Sequence, residues 1–120
     1  VTDLDKRLSI IVKACDDKRA FNIKVLNISK LSSIGDYFVI ASGNSAVQVS
    51  AIADAVEEKM AKAGFILIQK EGHNSSTWVL LDYGDIIVHI FKKEDRDFYN
   101  LERLWSDSDE LDVNLLISQE

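Results

Sequence analysis

Leu4, Leu8, Ile11, Val12 and Cys15 recur at spacings of four, three, one and three. That rhythm places them on one face of a helix over about residues 3 to 17, with Thr2 or Asp3 as its N-cap. From Phe21 to Ile28 the period shortens: Ile23 and Val25 oppose Leu26 and Ile28, as in a strand buried to some degree on both faces. Ser29 to Asp36, with Ser32, Ser33 and Gly35, reads as a loop. Tyr37 to Ala41 is continuously apolar and predicts a central strand. Ser45 and Gln48 then have the spacing of a capping box, and Val49, Ile52, Val56, Met60 and Ala63 form one helical stripe closed by Gly64 at C′.

A third strand is expected over Phe65 to Lys70, followed by a polar loop from Glu71 to Ser76. Trp78–Asp82 and Ile86–Phe91 are then two apolar runs split by Asp82-Tyr83-Gly84-Asp85, the pattern of a hairpin. A last helix begins near Glu94 and Asp95, acids that suit a helix N-terminus, and sets Phe98, Leu101, Leu104 and Trp105 on one stripe. The order αββαβββα predicts an α/β domain: a mixed five-stranded sheet flanked by helices, over residues 1–105. With no proline, repeat or low-complexity linker, nothing supports a second domain. Residues 106–120 read as an acidic C-terminal tail, either solvated or docked as a short strand or helix through Leu111, Val113, Leu115, Leu116 and Ile117.

Charge narrows the partners. The net charge is −6, but five of the acids fall in the last fifteen residues, where Lys and Arg are absent, so the body is nearly neutral. Such a chain has no dense basic face for a nucleic-acid backbone, and a basic protein suits it better. No apolar run approaches the roughly 20 residues of a membrane-spanning helix, and no signal segment opens the chain. Cys15, the single cysteine, sits in the helical apolar pattern; it predicts a buried core thiol and a reduced, intracellular setting.

Chemistry finds little support. Gly43-Asn44-Ser45 follows a buried strand and opens a helix, where a phosphate can bind. A nucleotidyltransferase built on such a turn needs two or three carboxylates on the next strand to hold metal, and Phe65 to Lys70 has none. Asp54 and Glu57 are expected as solvated helix charges. Asp82, Asp85 and His89 resemble an acid/base cluster in sequence, but alternation separates their side chains, and Asp and Gly are turn formers. The two histidines and one cysteine have no metal-site spacing. What remains is an aromatic surplus, Trp78, Tyr83, Phe91, Phe98, Tyr99 and Trp105, interleaved with Arg96, Glu102 and Arg103: residue types that dominate binding hot spots.

The series Asp36-Tyr37-Phe38-Val39-Ile40-Ala41-Ser42-Gly43 with Ser45, Glu71-Gly72, Trp78 to Asp85, Val88-His89-Ile90-Phe91, Arg96, Tyr99 to Glu102 and Leu104-Trp105 resembles the ribosomal silencing factor family, also called Iojap-like. The resemblance covers roughly residues 4 to 107. It implies a nucleotidyltransferase-like fold without catalytic acids, with no reaction and no cofactor. The implied function is translational repression: binding protein fourteen of the large ribosomal subunit and sterically blocking the small subunit when nutrients are scarce. Carried over by position, the contacts implied are Trp78, Leu81, Asp82, Tyr83, Gly84 and Asp85 on the hairpin, then Arg96, Tyr99, Glu102 and Trp105, with Lys70 and Lys92 at the rim. A homodimer hiding the same surface, and a bacterial cytoplasmic or organellar setting, are also implied. A phosphate-handling enzyme of nucleotidyltransferase type is the alternative.

Overall fold

The computed structural model describes residues 3–31, 35–72, 77–100, 103 and 107–118, with the side chains of 3–5, 97–99 and 118 outside that description. The chain runs α1 (Asp3–Asp17), β1 (Phe21–Asn27), β2 (Tyr37–Gly43), α2 (Ala46–Lys62), β3 (Gln69–Glu71), β4 (Trp78–Asp82), β5 (Ile86–Lys92), α3 (Lys93–Tyr99), β6 (Asp109–Leu111) and α4 (Val113–Ser118). The sheet has six strands in the order β3-β4-β5-β2-β1-β6. Among the described residues only β2 and β5 pair in parallel; the other pairings are antiparallel, so the sheet is mixed.

Strand alternation sorts the apolar residues into two clusters. Val25, Val39, Ala41, Val79, Leu81, Val88 and Ile90 face α1, α2 and α4, meeting Leu8, Ile11, Val12, Cys15, Val49, Ile52, Val56, Met60 and Leu116. Leu26, Ile28, Phe38, Ile40, Ile87 and Phe91 face the other way, with Trp78 and Leu80 packed beside them. Leu8, Ile11, Val12 and Cys15 of the α1 stripe are fully buried, and burial pushes the Cys15 thiol up to about 12. Ser45 caps α2 by accepting from the Gln48 amide. Gln48 departs from the usual box: its Oε1 accepts from the Asn44 amide, and its Nε2 donates to the carbonyls of Lys18 and Arg19. One side chain thus ties the start of α2 to the turn after α1.

Four expectations are corrected. The sheet has a sixth strand, β6, because Asp109–Leu111 pairs with β1. Its apolar followers dock as α4: Leu116 is buried and its carbonyl accepts from Ser9 Oγ at 2.7 Å. The acidic segment therefore folds onto the body over residues 109–117. The third strand shrinks to Gln69–Glu71, since Phe65 and Leu67 lean onto the helix-side core while Ile66 and Ile68 turn outward. The helix expected from Glu94 onward is interrupted: α3 ends at Tyr99, where Asn100 adopts a left-handed cap (φ 46) whose amide closes on the Arg96 carbonyl, and Arg103 is helical again. Of the stripe expected there, the side chain of Phe98 and residues Leu101, Leu104 and Trp105 lie outside the described residues. Glu57, finally, is half-buried and paired with Lys70 at 2.6 Å rather than solvated.

Candidate partner-binding hairpin

The hairpin of β4 and β5 forms because two apolar runs meet around a turn whose polar groups are locally satisfied. The Gly84 amide donates to Asp82 Oδ1 at 2.8 Å, Gly84 takes φ +93, and the Tyr83 amide donates to the Ile86 carbonyl. That is an Asp side chain standing in for backbone, the turn chemistry expected of an Asp-x-Gly sequence. Asp85 is held from the other side. Its carboxylate receives both guanidinium nitrogens of Arg7, at 2.8 and 2.6 Å, and its carbonyl accepts from the amides of Asp36 and Tyr37. The Arg7 hydrogen bonds hold the Asp85 carboxyl below the usual carboxylate range, against a smaller opposing effect of burial.

Alternation along β4 divides the hairpin cleanly. Val79 and Leu81 are buried toward the helices, while Trp78, Leu80 and Asp82 lie half-buried on the opposite face. Register continues that face onto the neighbours: Glu71 opposes Leu80 and Gln69 opposes Asp82 on β3, and His89 opposes Leu80 on β5, so His89 shares a face with Asp82, against the separation expected from alternation. Glu71, Gly72, Trp78 and Leu80 line a shallow groove of about 210 Å³. Trp78 lies on Phe91 with centroids 4.9 Å apart and planes 27° apart, and its indole Nε1–H donates to His89 Nδ1 at 3.2 Å. Gly72 shapes the groove wall: it has φ +81, and a Cβ there would lie 1.9 Å from the Trp78 carbonyl oxygen.

The anticipated contact residues therefore separate. Trp78, Asp82 and Gly84 are each partly accessible, Asp82 and Gly84 together at the turn and Trp78 at the opposite end of β4. Leu81 is wholly buried and Tyr83 nearly so, both within the helix-side core, so they support the hairpin from beneath. Burial moves the Tyr83 phenol up to about 12. Asp85 is partly exposed but engaged by Arg7. Arg96 is buried and donates from Nη1 to Ser42 Oγ at 2.7 Å, pinning α3 to the end of β2. The side chain of Tyr99, and Glu102 and Trp105 entirely, lie outside the described residues, as does His73. Of the two rim lysines, Lys70 is bound to Glu57 and Lys92 is half-buried at the N-cap of α3.

Two residues were missed. Ile66 and Ile68 are 82% and 65% exposed, and Ile68 Cδ1 reaches 3.3 Å from where a Cβ on Gly84 would stand, so apolar surface continues past the hairpin tip. Their apolar run reads as a buried strand; the signal that could have separated them is the alternation Phe65, Ile66, Leu67, Ile68 directly after a helix-ending glycine.

Catalytic alternatives gain nothing from the geometry. At the Gly43-Asn44-Ser45 turn, the Asn44 and Gln48 amides are taken up by Gln48 and Ser45 side chains. Among the described residues no group of three or more His, Cys, Asp or Glu could hold a metal ion.

Comparison with known proteins adds the context. A family model described as ribosomal silencing factor during starvation matches residues 1–120. A Bacillus subtilis protein named ribosomal silencing factor RsfS is 42% identical over 112 residues, covering 93% of this chain and 95% of that one. The chloroplastic protein Iojap of Zea mays is 31% identical over 106 residues, covering 86% of this chain and 45% of that longer protein. A crystal structure of a Chromobacterium violaceum protein superposes with a TM-score of 0.85 at 35% identity, covering 88% of each chain. One from Bacillus halodurans gives 0.79 at 38% identity, covering 89% of this chain and 97% of that one.

Proposed function

The chain belongs to the ribosomal silencing factor family, and from that premise we propose that it represses translation by binding the large ribosomal subunit through its protein fourteen and sterically blocking the small subunit. The observation that carries the reading is the family match along the whole chain, with a half-exposed Trp78 on the hairpin face as the natural anchor. A tryptophan stacked on Phe91, sharing a groove with Leu80 and Glu71, offers apolar area with a carboxylate nearby. That combination suits a basic protein surface more than a nucleic-acid backbone. In this reading Trp78, Asp82 and Gly84 touch the partner, Ile66 and Ile68 extend the patch, Leu81, Tyr83 and Arg96 hold its shape, and Asp85 fixes the turn through Arg7. Tyr99, Glu102 and Trp105 are proposed to add contacts from the segment after β5.

The protein acts by occupancy in this account, with no chemical step. The setting proposed is the bacterial cytoplasm; no helix among the described residues is long and apolar enough to cross a membrane. The exposed Ile66 and Ile68 beside the edge strand β3 also favour self-association through the same patch. The test is a pull-down with isolated ribosomal subunits followed by a subunit-joining assay. Selective capture of the large subunit with inhibition of joining is expected, and metal-dependent nucleotide binding by calorimetry would point instead to the enzyme alternative.

A further inference from the structure

His89 lies in a strand buried along nearly its whole length, between Val88 and Ile90, and is itself 4% exposed. An apolar residue would fill that place without the penalty of burying a polar ring. Phe38 meets the imidazole edge-on at 4.6 Å, and Phe91 lies nearly parallel to it at 6.2 Å. The contact that distinguishes an imidazole from a phenyl ring here is the indole N–H of Trp78, 3.2 Å from Nδ1. Accepting at Nδ1 requires the neutral tautomer with its proton on Nε2, a buried atom with no hydrogen-bond partner among the described residues. Leaving that donor unsatisfied costs stability, so the imidazole is retained against a local cost.

We propose that His89 is the positioning residue for the partner-binding tryptophan: its neutral imidazole accepts the Trp78 indole N–H and locks the ring on Phe91, so that the groove beside Glu71 and Leu80 is preformed. The inference rests on the repressor reading for the use of the groove, but the clamp belongs to the free chain. Burial holds the imidazole at about 4, so it is neutral at physiological pH and able to accept. With the ring fixed by one stack and one directional bond, the partner meets an ordered anchor and no rotamer freedom is lost on binding. His89 touches no partner in this account and acts only through Trp78.

Nuclear magnetic resonance of the full chain tests the clamp first. Ring nitrogens of His89 should show the Nε2-protonated tautomer, and the Trp78 indole resonance, assigned with Trp78→Phe, should have the shift of a hydrogen-bonded N–H. A wild-type Nδ1-protonated tautomer overturns the proposal without any variant. His89→Phe keeps the stack and removes the acceptor; it should shift the indole resonance upfield and weaken large-subunit binding about five-fold, the worth of one such bond. His89→Asn, with an amide oxygen near the Nδ1 position, should restore both. Wild-type affinity in a folded His89→Phe, or an unmoved indole resonance, sinks the clamp alone. Failure of the wild-type chain to bind large subunits would sink the repressor reading, while the tautomer and indole shift still decide the clamp.

Discussion

Asp85 and His89 lie four positions apart in one hairpin and respond to acid in different ranges. The folded Asp85 carboxyl is depressed by Arg7, so its contribution is present above the unfolded carboxylate range near 4 and is lost as pH falls through the lower folded value. His89 is also depressed, to about 4 from an ordinary 6.5, but here the charged form is the one the fold excludes. Between those two values the unfolded chain binds a proton that the folded chain refuses, so stability falls as pH drops from about 6.5 to about 4. Unfolding free energies measured across that range should decline for the wild type, by on the order of 3 kcal/mol, and stay nearly flat for His89→Phe. An equal decline in both would assign the acid sensitivity elsewhere. Gly72 makes a steric prediction of the same local kind. A Cβ 1.9 Å from the Trp78 carbonyl cannot be relieved by a side-chain rotation, because the obstacle is backbone. Gly72→Ala should therefore cost more than about 2 kcal/mol in denaturant unfolding and disturb the groove beside Trp78.

Among the elements, α1, α2 and the long strands were readable because each carries a local apolar pattern of its own. The stripe Leu8, Ile11, Val12, Cys15 predicts α1, and the unbroken run at Tyr37 predicts the strand that becomes the parallel partner of β5. Readability failed where an element owes its form to something distant in sequence. Asp109–Leu111 is three residues with two acids, and it is a strand only because β1 offers an unpaired edge. Phe65 to Ile68 has strand composition, yet two of its side chains lie outside because that part of the sheet ends at β3. The same limit governed the site. Alternation placed Asp82 with Trp78 on the open face, while the Arg7–Asp85 pair, 78 residues apart, had no local signal. Exposure of Ile66 and Ile68 leads to a direct expectation: changing both to Lys should leave the unfolding free energy within about 0.5 kcal/mol of wild type. It should also weaken large-subunit capture and any self-association seen by sedimentation. A large loss of stability instead would mean that both are core residues.

Taken whole, the molecule is a sheet with one side sealed by α1, α2 and α4 and a hairpin whose other side presents Trp78, Leu80 and Asp82. Its net charge of −6 is concentrated toward the C-terminus, and part of that acidic segment is built into the sheet through β6. Charge at that end can steer approach to a basic partner, while the hairpin supplies the directional contacts. The measurement that bears most directly on the account is co-sedimentation of purified large subunits with the wild type and with Trp78→Ala, alongside thermal unfolding of both. The expected result is capture of the wild type and a loss of at least about ten-fold in affinity for the variant, with the variant still unfolding cooperatively. Equal capture of a folded Trp78→Ala would contradict the assignment of this hairpin as the surface that binds.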